Sequence, residues 1–317
     1  LGLDITKLPE PLVASHDVVG TLHREGARRL GLASGTPVCA GGVDAPAATL
    51  SAGVVAEGRH VAMMGTSMCW GFVHTAPPTE AGLVSMPYVL QPETLVYTFG
   101  GAATAGAVPA WFVDQLGASE RTVEQLTADI DGPDAYAQLE GRAARVPPGS
   151  DGLVMLPYFM GERSPIWDPD ARGTITGLTL YHTKAHLYRA GLEAVAFALR
   201  HNLETGRAAG YHLADEVHLV GGAARSPLWC AIIANVVNLP ATATRGGEAA
   251  YGDAMLGAVA TGVADAAEVA SWTAASQRDH RIEPDPTHAA AYEATYPRYL
   301  ALYEALADYF AASAATA

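Results

Sequence analysis

Val217-His218-Leu219-Val220-Gly221-Gly222-Ala223-Ala224-Arg225-Ser226-Pro227-Leu228-Trp229 is the stretch from which the fold is read. Residues 217–220 form a short apolar run bounded by a glycine pair, which suits a buried strand. Gly221-Gly222 lets the chain turn sharply and lets a ligand approach the backbone. Ser226-Pro227 then opens a helix, with Ser as the N-cap and Pro at the first helical position. A strand, a glycine turn and a helix in succession form the working unit of an α/β protein.

The same pattern recurs outward from this point. Toward the amino end, residues 21–30 predict a short helix stopped by Gly31, residues 37–41 a buried strand, and Asp44 opens a helical run through Leu50. Residues 60–64 and 69–74 predict strands around Gly65-Thr66-Ser67. Residues 84–90 and 95–99 predict two more, closed by Gly100-Gly101, with a helix over 105–116. Residues 122–145 read as a peripheral helix, 153–158 as a strand and 161–173 as a loop. Thr183 caps a long helix over 183–207, whose apolar stripe is Leu192, Val195, Leu199 and Leu203. Residues 248–261 form a helix rich in Ala and Gly, suited to close packing on a sheet, and residues 287–312 one or two amphipathic helices. Strands that open in hairpins and then alternate with helices predict an α/β class with a mixed sheet.

The 317 residues are 50% hydrophobic and 16% charged, with a net charge of −14. This is the balance of a folded domain, and its acidity argues against a nucleic-acid partner. Only Lys7 and Lys184 are lysines, against seventeen arginines. No apolar run reaches the length of a membrane span, and the first residues have no signal-peptide character. The three cysteines, Cys39, Cys69 and Cys230, are expected as buried thiols of a cytoplasmic protein.

Three glycine-containing junctions could hold a phosphate-bearing ligand: Gly65-Thr66-Ser67, Gly100-Gly101 with Gly106, and Gly221-Gly222-Ala223. Each taken singly is also ordinary turn chemistry. Neither lysine follows a glycine, so a Walker-type loop is excluded. No G-x-G-x-x-G opens a helix, and no metal-binding H-E-x-x-H or paired C-x-x-C occurs. Gly65-Thr66-Ser67-Met68-Cys69 departs from a serine-hydrolase elbow at its last position. Asp44 follows the flexible Gly41-Gly42 pair at a helix start. Two readings stand open for it, a helix cap or a catalytic base facing a cleft.

Several ordered segments resemble the FGGY carbohydrate kinases. Gly41-Gly42-Val43-Asp44-Ala45-Pro46 resembles the segment carrying that family's catalytic Asp, and Met64-Gly65-Thr66-Ser67 its phosphate-binding turn. Leu156-Pro157-Tyr158, Gly161-Glu162-Arg163-Ser164-Pro165, Trp167-Asp168-Pro169 and Arg172-Gly173 resemble its central signature, and Gly221 to Trp229 its adenine-binding strand-turn-helix.

The resemblance implies the actin-like ATPase (ribonuclease H-like) fold, a mixed sheet with flanking helices. Residues 1–58 would be the remnant of a sugar-binding domain whose amino-terminal part is missing, and residues 59–317 the ATP-binding domain. It further implies phosphoryl transfer from ATP with Mg²⁺ to a sugar, with Asp44 as general base and with Asp44 and Ala45 beside the substrate. Gly65, Thr66, Ser67, Gly106, Gly221, Gly222, Ala223 and Arg225 would hold the nucleotide, and no side-chain metal site is implied. Ala45-Pro46 stands where several members carry a polar residue that touches the sugar. Residues 64–69 lean toward ribulokinases and 161–169 toward xylulokinases, so D-xylulose is the first expectation and ribulose or another ketose or polyol the second. Expected partners are the sugar, MgATP, the missing domain and a second copy of the chain. A nucleotide-binding domain that is catalytically silent by itself is the reading from a different class. Glu162 and Arg163 fit either a buried pair bracing the loop or a ligand contact.

Overall fold

The computed structural model describes residues 4–7, 11–77, 82–243, 249–276 and 280–314. The amino-terminal part holds β1 (Val18–Thr21), α1 (Arg24–Leu30), β2 (Pro37–Cys39) and α2 (Asp44–Ser51). Next come β3 (His60–Met64), β4 (Met68–His74), β5 (Val84–Pro87) and β6 (Val96–Gly100), followed by α3 (Ala107–Leu116), α4 (Ala118–Thr127) and α5 (Ala135–Ala143). A small hairpin, β7 (Val154–Leu156) with β8 (Thr174–Thr176), leads into α6 (Lys184–Ala208). The remainder is β9 (Val217–Gly221), α7 (Pro227–Val237), β10 (Ala241–Ala243), α8 (Ala249–Ala260), α9 (Ala266–Ser276), β11 (His280–Ile282) and α10 (Pro286–Ala314).

Seven strands form the main sheet in the order β11-β10-β9-β3-β4-β6-β5. β3, β9 and β10 run parallel and the remaining pairs are antiparallel, so the sheet is mixed as expected. Period-two alternation splits its side chains between two cores. Ala62 and Met64 of β3 join Met68, Trp70 and Phe72 of β4 in the core beneath α3, α6, α7 and α10. Val61 and Val73 face the other way, with Leu50 of α2 and Met255 and Leu256 of α8. The helix rich in Ala and Gly therefore packs against α2 as well as against the sheet. A Cβ on Gly252 would stand 2.0 Å from the Ala47 carbonyl oxygen.

The structure corrects several expectations. Residues 37–39 do form a strand, but among the described residues it pairs with β1 alone, and Pro37 and Val38 are exposed instead of buried. The predicted single helix over 122–145 is broken, because Gly132-Pro133-Asp134 cannot continue it and Asp134 caps a new helix by accepting from Ala137 N–H at 2.7 Å. Of the three free cysteines only Cys230 is buried; Cys39 and Cys69 are half-buried. The strands expected over 84–90 and 153–158 are shorter, and residue 248 lies outside the described residues. No helix among the described residues is long and apolar enough to cross a membrane.

Candidate functional site

The turn between β3 and β4 interlocks with the start of α3. The Gly65 carbonyl accepts from Gly106 N–H at 2.8 Å, and the Thr66 carbonyl accepts from Ala105 and Ala107 N–H at 2.8 and 3.2 Å. A Cβ on Gly106 would lie 2.6 Å from the Gly65 oxygen, so glycine is what permits the approach. Beside this turn, Met64 of β3 pairs in parallel with Gly221 of β9. Gly221 has φ of 90°, and its absent Cβ would meet the Met64 carbonyl oxygen at 2.7 Å. The two turns thus leave adjacent parallel strands at their carboxyl ends, where open α/β sheets bind ligands.

A cavity of about 790 Å³ opens there. Gly65, Thr66, Gly106, Gly222, Ala223 and Arg225 line it, so the structure gathers residues from all three glycine junctions onto one wall. Ser67 and Gly221 sit beside that wall and do not line it. Another part of the lining was not foreseen: Trp111 of α3, Tyr136 and Glu140 of α5, and Tyr188 of α6. Residues 122–145, read as peripheral, therefore contribute a cavity wall; the signal was the four-residue spacing of Tyr136 and Glu140, which puts both on one helix face.

Asp44 and Ala45 lie outside this cavity. The N-cap of α2 is Val43, with no side-chain capping bond, and Asp44 is the first helical residue. Among the described residues, its exposed carboxylate accepts from the adjacent Ala45 N–H alone, at 2.7 Å. The helix-cap reading therefore falls, although a carboxylate in a first turn still suits the helix dipole. Asp44 is electrostatically close to the start of β4. Burial raises the Cys69 thiol pKa, the Tyr97 hydroxyl and Arg163 pull it down, and the charge of Asp44 adds to the rise.

The loop over 161–173 clamps the Gly100–Thr104 turn. Glu162 Oε1 accepts from Ala103 and Arg163 N–H at 2.7 Å each, and Arg163 Nη2 donates to the Met68 and Ala102 carbonyls at 2.9 and 3.0 Å. Ser164 Oγ accepts from Gly101 N–H at 2.6 Å and donates to Asn202 Oδ1 at 3.0 Å, which ties the turn to α6. Glu162 and Arg163 brace the turn separately, each through the backbone, and not as a side-chain pair. Burial pushes the Glu162 carboxyl up to about 7, against the Ala103 and Arg163 amides that lower it. Its Oε2 is buried with no hydrogen-bond partner among the described residues.

Comparison with known proteins follows the same lines. Residues 60–261 match the model of the FGGY family of carbohydrate kinases, C-terminal domain. The ribulokinase of Geobacillus thermodenitrificans is 34% identical over 314 residues, spanning 96% of this chain and 54% of that protein. The gluconokinase of Bacillus licheniformis is 32% identical over 286 residues, 88% of this chain and 53% of that protein. The solved xylulose kinase of Rhodospirillum rubrum has a TM-score of 0.79 at 32% identity, covering 95% of this chain and 58% of that one. The chain thus spans about half the length of the curated relatives it matches. The likeness to solved sugar kinases bears out the actin-like ATPase fold.

Proposed function

From its membership of the FGGY family of carbohydrate kinases, to which this chain belongs, we propose that it is the nucleotide-binding part of an enzyme that transfers the γ-phosphoryl group of MgATP to a sugar hydroxyl. The observation that carries this reading is the convergence of the Gly65, Gly106 and Gly222 junctions on one cavity at the carboxyl ends of β3 and β9. Gly65 and Thr66 would hold phosphate oxygens, with Ser67 completing their turn, and Gly106 would let the start of α3 approach them. Gly222 and Ala223 would lie flat against the base and ribose, with Gly221 making their turn and Arg225 at the edge.

The cavity's size and its glycine walls fit a nucleotide. Among the described residues, no group of three His, Cys, Asp or Glu could hold a metal ion. Mg²⁺ would therefore enter on the phosphates with most of its waters, as it does in many phosphoryl-transfer sites. It would neutralise charge on the phosphate oxygens during transfer.

Asp44 would accept the sugar hydroxyl proton as that oxygen attacks, with Ala45 next to the sugar. Its place outside the nucleotide cavity, at the helix end nearest the start of β4, suits a base that meets the γ-phosphate from the substrate side. Residues 1–58 would belong to the sugar-binding domain and 59–317 to the nucleotide domain, a division supported by the family match beginning at residue 60. Leu12, Val18, Val19, Leu32 and Val43 are exposed apolar side chains in the first segment. A further amino-terminal domain would cover such a surface.

The relatives are a ribulokinase, a gluconokinase and a xylulose kinase. Within that range a pentulose is the substrate proposed, D-xylulose first on the pattern of residues 161–169, with ribulose second on residues 64–69. The reducing cytoplasm suits three free thiols. The second reading, a nucleotide-binding domain silent by itself, is favoured for the isolated chain by its span of half the relatives' length.

Replacing Asp44 by Asn in the chain joined to an amino-terminal domain tests the assignment. Sugar-dependent ADP release is expected to fall by about 10²–10⁴-fold while MgADP binding persists. Unchanged turnover would remove Asp44 from the role of base.

A further inference from the structure

Three acidic side chains face the cavity wall: Asp114, Asp134 and Glu140. Two of them are already engaged. Asp114 forms an ion pair with Arg121 at 2.6 Å, and Asp134 caps α5 through the Ala137 N–H. Glu140 differs from both. It lies in α5, six residues beyond Asp134, half-buried beside the Ser226 hydroxyl, and burial raises its carboxyl pKa while Ser226 opposes the rise. Ser226 Oγ accepts from Trp229 N–H at 3.0 Å, which leaves its own proton for the Glu140 carboxylate; a carboxylate has further lone pairs with which to accept from a ligand.

Next to Glu140 is Tyr188, which also lines the cavity. Tyr188 is 1% exposed, yet its hydroxyl has no hydrogen-bond partner among the described residues. The two groups are close enough for the Glu140 charge to raise the Tyr188 pKa, after burial, which is the larger cause. A buried hydroxyl left unpaired costs about 1–3 kcal/mol unless a ligand or water meets it. The cavity therefore presents an anionic acceptor and an unused donor in a lining that also holds Trp111, Gly222 and Ala223.

We propose that Glu140 and Tyr188 read the edge of the nucleobase, the Glu140 carboxylate accepting from an exocyclic amino group and the Tyr188 hydroxyl donating to the neighbouring ring nitrogen. This rests on the nucleotide assignment above and adds to it the selection of an amino-bearing purine such as adenine. The pairing follows from the atoms: an amino group beside an unprotonated ring nitrogen is a donor next to an acceptor, the complement of a carboxylate next to a hydroxyl. A base lacking the amino group would leave a half-buried carboxylate without its donor.

The test is calorimetric titration of this chain with MgADP and with the Mg²⁺ complex of purine riboside 5′-diphosphate, which differs from ADP only by lacking the 6-amino group. The wild-type chain is expected to bind MgADP at least about tenfold more tightly. Glu140→Leu should bring the two affinities within about twofold, and Glu140→Gln, which keeps a neutral acceptor, should narrow the gap to about threefold. Tyr188→Phe should weaken both ligands by the same factor, because both carry the ring nitrogen.

Equal wild-type affinities would overturn the proposal, as would a full preference retained by a folded Glu140→Leu chain. If that variant does not fold, a full preference retained by Glu140→Gln has the same meaning. Failure of MgADP itself to bind at millimolar concentration would overturn the nucleotide assignment, and this proposal with it.

Discussion

Gly221 and Gly222 are neighbours with opposite demands. Gly221 has φ of 90° and faces the Met64 carbonyl oxygen, so alanine there combines left-handed strain with a backbone clash. Gly221→Ala is expected to lose about 1–3 kcal/mol of stability in urea titration. Gly222 is free of both problems: its Cβ would lie 3.6 Å from the nearest oxygen. Gly222→Ala should stay within about 0.5 kcal/mol of wild type while weakening MgADP, because the added methyl stands on the cavity wall. Equal stability loss in the two variants would refute this distinction. Glu162 adds a pH signature. Its folded pKa of about 7 lies above the ordinary 4.5, so the fold binds this proton more tightly than the unfolded chain does. Stability from this group is therefore full below about pH 4.5 and is lost as pH rises toward 7, on the order of 3 kcal/mol in all. Glu162→Gln should flatten that slope in melting experiments between pH 5 and 8; an unaltered slope would mean that the group titrates normally.

At the scale of elements, two buried networks hold the cavity's supports in place. Ser164 joins the Gly101 turn to Asn202 on α6, and Ser164→Ala would leave the Gly101 N–H and the Asn202 amide short of a partner. A loss of about 1–3 kcal/mol is expected by chemical denaturation. Glu193 is more deeply committed. It accepts from Gly149 N–H, Arg189 Nε, Tyr292 OH and Ser150 OH at 2.8–3.0 Å, joining α6 to α10 and to the start of β7. Glu193→Ala leaves Arg189 buried without its counter-charge and should cost about 3–5 kcal/mol. These elements also show what could be read in advance. The unit over 217–229 was legible because every signal in it is local: an apolar run, a glycine at positive φ, and a Ser-Pro helix start whose serine does cap Trp229 N–H. β10 and β11 were not legible. Ala-Thr-Ala and His-Arg-Ile are too short to show a strand pattern, and it is pairing of β10 with β9, and of β11 with β10, that makes them strands. The residues of the Gly65, Gly106 and Gly222 junctions could be named from sequence; the spacing of Tyr136 and Glu140 puts those two on one helix face, but that this face meets the cavity depends on how α5 packs on α6.

At the scale of the molecule, α2 sets where Asp44 stands. Its Leu50 is buried among sheet residues, Thr49 Oγ1 donates to the Tyr97 hydroxyl at 3.3 Å, and Gly252 of α8 packs against Ala47. The proposed base is thus carried on a helix packed firmly on the proposed nucleotide domain, although it precedes residue 59 in the chain. A nucleotide bound in the cavity should stabilise the whole chain by mass action, by about 2.7 kcal/mol at a hundred times its dissociation constant. The most direct test is calorimetric titration of the chain with MgADP, repeated on Gly222→Trp. The account predicts binding by the wild-type chain and none by the folded Trp variant, whose indole would fill the cavity. Binding of equal affinity by both would place the nucleotide elsewhere and contradict the assignment of this cavity.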